Sequence, residues 1–190
     1  MEKNEIDYVK LRGILCIERT KEGSEKRNKM FDDFDKNKNG YLSLAEVTQG
    51  LKEILPLKDF KNFKEAISRS FQASKDSVKN TRKLSSDNIE RNEFRYFLCY
   101  LRQYFEYYEM FSIVNTGQDK YLDIDEFKNA VPQFKKWGII INDPEKTFKE
   151  IDLDKGGLIR FDEFCHWAIK TKLDLETDDD FYDPCLENLK

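Results

Sequence analysis

Apolar and polar positions along this chain repeat one arrangement four times: an apolar pair closing a helical stretch, a polar run, one aliphatic residue, then an acidic residue followed at once by another apolar one. In the first copy Phe31 and Phe34 lead into Asp35, Leu42 sits mid-run, and Glu46-Val47 close it. In the last, Phe148 and Ile151 lead into Asp152, with Ile159 and Glu163-Phe164 behind. The third keeps Phe111, Val114, Leu122 and Glu126-Phe127 around a run opening on Asn115, and the second keeps Phe71, Ile89 and Glu93-Phe94 around a run that is too long. Each copy reads as helix, loop, helix. The pattern predicts an all-α chain of four such units, two of them degenerate, paired into two lobes packed compactly. The expected divisions are an N-terminal helical extension over 1–22, one lobe over 23–102, the other over 103–173 and an acidic tail over 174–190.

Local signals agree with this division. Ser43 and Asp123 are suited to cap the exit helices of the first and third units, because their side-chain oxygens accept from free N–H groups at a helix start. Asp143-Pro144-Glu145 predicts the start of the last entering helix, and Gly138 the end of the helix before it. Pro56 separates the first unit from the second, and residues 73–88, nearly free of apolar groups, read as an exposed excursion. From Phe94 to Phe111 the apolar residues keep to no single face, which predicts a central helix buried on several sides, or one that docks a partner with part of its surface.

Composition narrows the function. The chain of 190 residues is 39% hydrophobic, 37% charged and 14% aromatic with only 8 Gly and 4 Pro, the profile of a helical, well-solvated protein. Its net charge of −4 gives no general attraction to phosphate backbones, so nucleic acid is not an expected partner. The start, Met1-Glu2-Lys3-Asn4-Glu5, has no signal-peptide layout, and the early apolar run Ile14-Leu15-Cys16-Ile17 is too short to cross a bilayer, so an intracellular chain without a transmembrane segment is expected. Cys16, Cys99, Cys165 and Cys185 form no CxxC pair and read as reduced thiols.

The polar runs carry the chemistry. A twelve-residue calcium loop supplies oxygen donors at positions 1, 3 and 5, a backbone carbonyl at 7 and a bidentate Glu at 12, with Gly at 6 for the sharp turn. Asp35, Asn37, Asn39, Gly40, the Tyr41 carbonyl and Glu46 meet all of these demands. By average residue frequencies the full pattern arises by chance on the order of once in a few thousand sequences of this length. Two neutral Asn donors weaken the pull on a divalent ion, which predicts a dissociation constant nearer ~10⁻⁵ than ~10⁻⁸ M. The last run offers Asp152, Asp154, Gly157, the Leu158 carbonyl and Glu163, with no donor side chain at Gly156 and a positive Arg160 at position 9; it either binds or is kept only for its fold. The third run, with Asn115 first, Gly117 at position 3 and Lys120 in place of the turn glycine, is expected to bind nothing. In the second, Gln72 stands at the first-ligand position and an insertion holding Lys75, Lys79, Arg82 and Lys83 repels cations. The four runs resemble EF-hand loops. Such loops pair through position 8, so Leu42 is expected opposite Ile89 and Leu122 opposite Ile159.

From about Phe31 to Lys172 the chain resembles the calflagins, the flagellar calcium-binding proteins. The likeness lies in Phe34-Asp35-Lys36-Asn37, the overlong second loop, Leu98-Cys99-Tyr100, Asp125-Glu126-Phe127-Lys128, Lys136-Trp137-Gly138, Glu150-Ile151-Asp152, Phe161-Asp162-Glu163-Phe164 and Trp167-Ala168. The resemblance implies calcium as cofactor and a cilium or flagellum as setting, against a plain cytoplasmic one. The family carries an N-terminal Gly for myristoylation, whereas Glu2 and Lys3 follow Met1 here, so N-myristoylation is not expected. Two functions compete: a calcium-binding protein that docks a fixed protein partner, and a structural axonemal or microtubule-associated protein with largely vestigial loops. With 3 Met beside 15 Phe, a promiscuous groove is disfavoured. An enzyme is not expected, since His166 is the lone histidine and no nucleophile or phosphate-binding motif is present.

Overall fold

A computed structural model describes residues 8–55, 60–77, 87–117, 119–171 and 173. The chain is mostly helical. In order, α1 (Tyr8–Leu15), α2 (Lys21–Phe34), β1 (Tyr41–Leu42) and α3 (Leu44–Ile54) are followed by a 3-10 turn at Phe60–Phe63, α4 (Lys64–Ser77), β2 (Ile89–Glu90) and α5 (Phe94–Val114). Then come β3 (Tyr121–Leu122), α6 (Ile124–Lys136), α7 (Pro144–Ile151), β4 (Ile159–Arg160) and α8 (Phe161–Thr171). No helix among the described residues is long and apolar enough to cross a membrane. Two compact units divide within α5, between Phe105 and Glu106. The acidic tail, Pro56, Cys185 and the inserted residues Lys79, Arg82 and Lys83 lie outside the described residues.

Helix ends follow the local chemistry. Ser43 and Asp123 each begin a capping box, accepting from the backbone N–H of Glu46 and Glu126 while those glutamates accept from the cap N–H in return. Asp143 caps α7 with Pro144 at the first turn. Gly138, at φ +82, closes α6 in a Schellman motif: its own N–H reaches the Lys135 carbonyl at 3.1 Å and that of Ile139 the Phe134 carbonyl at 2.9 Å. The short strands pair antiparallel in two separate sheets, Leu42 opposite Ile89 and Leu122 opposite Ile159, as the spacing predicts.

One element runs further than its pattern suggests. The sequence ends the fourth helix near Phe71 and opens an exposed excursion at residue 73, yet α4 continues to Ser77 and carries Gln72 exposed on its surface. Ala66, Ile67, Ser70, Phe71 and Ser74 form one buried stripe at helical spacing. The two serines read as polar but act as small core residues, because Ser70 Oγ donates to the Ala66 carbonyl at 2.7 Å and Ser74 Oγ to the Phe71 carbonyl at 2.8 Å.

Aromatic rings fill each unit. In the first, Phe31 and Phe34 meet Phe94 edge-on at 5.4 and 5.9 Å, and Phe94 stacks on Phe97 at 6.0 Å. Arg27 donates to the carbonyls of Cys16 and Glu18, and Arg95 to that of Ile17, so two arginines hold the turn between α1 and α2. In the second, Phe127 and Phe134 lie 5.2 Å apart, Trp167 meets Phe134 edge-on at 5.3 Å, and Phe111 meets Phe164 at 5.3 Å. In α5, Phe97, Leu98, Tyr100, Leu101, Phe105 and Met110 are all buried, in keeping with its lack of a single apolar face.

Candidate metal centre

Two loops have the same backbone. At the end of α2, Asp35 turns out of the helix at φ −72, ψ 74, and at the end of α7, Asp152 does so at φ −69, ψ 82. Three residues on, Lys38 and Lys155 take positive φ of 57 and 59, and two further on Gly40 and Gly157 take 83 and 80, where a side chain is strained and glycine is not. Each opening aspartate is only 7% exposed. Asp35 accepts from the N–H of Asn39 at 3.1 Å and of Gly40 at 2.9 Å, and Asp152 from the N–H of Gly156 at 3.0 Å and of Gly157 at 2.9 Å.

In the last loop the acidic donors converge. One ligand atom each from Asp152, Asp154 and Glu163 lies within 4.8 Å of the others. Glu163 is 3% exposed; its Oε1 accepts from the N–H of Leu153 and Asp154 at 2.9 and 3.2 Å, and its Oε2 from that of Arg160 at 2.9 Å. Three carboxylates so close repel one another unless positive charge is near, and a hard, oxygen-seeking divalent cation fits that donor set. Leu158 stands at position 7, just before β4, where its carbonyl is the available donor. Gly156 adds no side-chain oxygen, and a Cβ there would lie 2.9 Å from Asp154 Oδ1.

The first loop is linked differently. Asn37 Oδ1 accepts from the Asn39 N–H at 2.9 Å while its Nδ2 donates to Glu46 Oε1 at 2.8 Å, and Asn39 Oδ1 accepts from the Tyr41 N–H at 2.8 Å. Asp35, Asn37, Asn39 and Glu46 are thereby tied into one ring of oxygens and amides, with Tyr41 at position 7 opening β1. This set also suits calcium, with two carboxylates where the last loop has three.

The position-12 glutamates carry a second role that donor counting misses. In every unit the N–H three residues earlier donates to the glutamate's Oε2: Ser43 to Glu46 at 3.0 Å, Glu90 to Glu93 at 2.9 Å, Asp123 to Glu126 at 3.2 Å and Arg160 to Glu163 at 2.9 Å. The recurrent acidic residue therefore fixes the start of each exit helix whether or not its loop has donors to spare. Spacing alone carried that signal, since the glutamate is third into the exit helix in the first, third and last units and stands directly before α5 in the second. In the third loop Glu126 Oε1 accepts from Thr116 Oγ1 and the Gly117 N–H at 3.0 and 2.6 Å, and Lys120 holds a φ of 73 where glycine is usual. Arg160 is the other residue whose part is larger than predicted: its guanidinium reaches Asp154 Oδ2 at 2.8 Å.

Helix-loop-helix units with this donor spacing, paired through position 8, define the EF-hand class, whose ion is calcium. Residues 11–101 match the FCaBP EF-hand domain and residues 105–169 the EF-hand domain pair. A flagellar calcium-binding protein of Trypanosoma cruzi is 36% identical over 175 residues, covering 91% of this chain and 83% of that one. In Trypanosoma brucei brucei, the flagellar calcium-binding protein TB-24 is 32% identical over 92% of this chain and 81% of its own length. TB-44A of the same organism is 33% identical over 92% of this chain and 44% of its own length. The chain belongs to the flagellar calcium-binding protein family.

Proposed function

We propose that this chain is a calcium-binding EF-hand protein of the flagellum, taking one ion in the loop from Asp35 to Glu46 and a second in the loop from Asp152 to Glu163, and docking one fixed protein partner, an axonemal or microtubule assembly. The observation that carries the ion assignment is the shared backbone of these two loops, each closed round a buried aspartate, with Asp152, Asp154 and Glu163 gathered within 4.8 Å. The flagellar setting rests on the relatives, whose names place them there. Asp35 and Asp152 anchor the loops, Asn37, Asn39 and Asp154 supply further oxygens, the carbonyls of Tyr41 and Leu158 serve at position 7, and Glu46 and Glu163 join loop to exit helix. When bound, calcium would supply the positive charge these oxygens lack. No catalytic role is proposed; His166 is exposed on α8.

A second reading has one observation in its favour. The third loop keeps its shape through its own hydrogen bonds, Gly117 and Thr116 to Glu126, although its donor set is poor. A structural protein with largely vestigial loops would show the same economy throughout. Calorimetric titration with calcium separates the two: two sites, one lost in Glu46→Gln and the other in Glu163→Gln, support the ion assignment, and no heat in the parent chain rules it out. Dye binding with and without calcium then tests whether apolar surface opens to a partner.

A further inference from the structure

Arg160 occupies position 9 of the last loop, and its guanidinium contacts three of that loop's carboxylates. Nη2 lies 2.8 Å from Asp154 Oδ2, and Nε lies 3.5 Å from Asp162 Oδ1 and 3.9 Å from Glu163 Oε2. Asp154 and Glu163 are two of the three acidic groups that converge for an ion. The guanidinium thus neutralises the cluster a divalent cation would neutralise. In the first loop position 9 is Ser43, which brings no charge, and the link from position 3 to position 12 is an uncharged Asn37 amide.

We propose that Arg160 is a tethered counter-ion that stabilises the ion-free last loop and competes with calcium for Asp154 and Glu163. The inference rests on the last loop binding calcium, as proposed above. Without Arg160 the loop sets four carboxylates, Asp152, Asp154, Asp162 and Glu163, against the single positive charge of Lys155. Like charges at these separations repel, and the ion-free loop bears that repulsion in full. An entering cation relieves the repulsion but must part the guanidinium from Asp154. Arg160 therefore lowers the loop's affinity and raises its ion-free stability, both through one contact. Its backbone plays a separate part, since the N–H that caps Glu163 is kept by any replacement except proline.

The test uses the whole chain in a Glu46→Gln background, so that the last loop is the site titrated. Adding Arg160→Gln is expected to tighten calcium binding about twofold to fivefold, the range of one partly exposed ion pair, and to lower the thermal midpoint of the calcium-free protein. Arg160→Lys, which keeps the charge without the fork, is expected to fall between the two. Equal calcium affinity with and without Arg160→Gln overturns the inference while leaving the last loop a binding site. Absence of calcium heat in both chains removes the binding reading itself, and the inference with it.

Discussion

Gly50 lies within α3, where alanine ordinarily strengthens a helix by about 1 kcal/mol. Here a Cβ would overlap the ring of Phe34, and that ring is 2% exposed and packed edge-on to Phe94. Overpacking a filled core costs about 1–3 kcal/mol, which outweighs the helical gain. Gly50→Ala is therefore expected to lower the urea midpoint, and an unchanged or higher midpoint would mean that the Phe34 ring can move aside. Cys16 is a case of reactivity set by packing. Burial pushes its thiol up from the ordinary value, Glu18 adds to the effect, and the Sγ donates to the carbonyls of Gly13 and Ile14 at 3.3 and 3.4 Å. A thiol held protonated and covered is a poor nucleophile. Peptide mapping after brief iodoacetamide treatment near pH 8 should find Cys16 unmodified in the folded chain and modified once urea is added.

At the scale of elements, the exit helix of the first loop depends on its cap. Ser43 Oγ accepts from the Glu46 N–H at 3.2 Å and donates to Glu46 Oε2 at 2.8 Å, so Ser43→Ala removes both. The expected loss is about 1 kcal/mol of stability, read as a lower thermal midpoint, with Ser43→Asp restoring most of it. Caps of this kind were legible in the sequence, as were the paired strands and the Gly138 stop, because each depends on residue types a few positions apart. The length of α4 was not legible, because Ser70 and Ser74 count as polar in any hydrophobic pattern while their hydroxyls are satisfied by the helix itself. The proposed donors of the two loops were named from spacing. What spacing could not give was the partner each donor finds: that Asn37 donates its amide to Glu46, or that the Arg160 guanidinium turns onto Asp154 rather than into solvent. Side-chain direction in a loop is fixed by the folded backbone, not by the order of residues.

At the scale of the whole molecule, the two loops proposed to bind are never partners. The loop from Asp35 to Glu46 pairs through Leu42 with Ile89, and the loop from Asp152 to Glu163 pairs through Ile159 with Leu122, in two separate sheets. Each has a degenerate neighbour across its ladder. In a pair where both loops bind, ordering one strand readies the other for its ion, which is a route to cooperativity. If the neighbour across each ladder binds nothing, as its donor set predicts, that route is closed. The element common to both units, α5, touches the two proposed sites through different residues: Phe94 meets Phe34 beside the first loop at 5.9 Å, and Tyr108 and Phe111 each meet Phe161 of the last loop at 5.7 Å. Calcium titration is therefore expected to follow two independent sites with no sigmoid. Glu46→Gln should leave the affinity of the last loop unchanged within about twofold, and Glu163→Gln that of the first, since sites with no shared partners add within about 0.5 kcal/mol. A coupling larger than that in the double-variant cycle would show that α5 transmits a change between the loops.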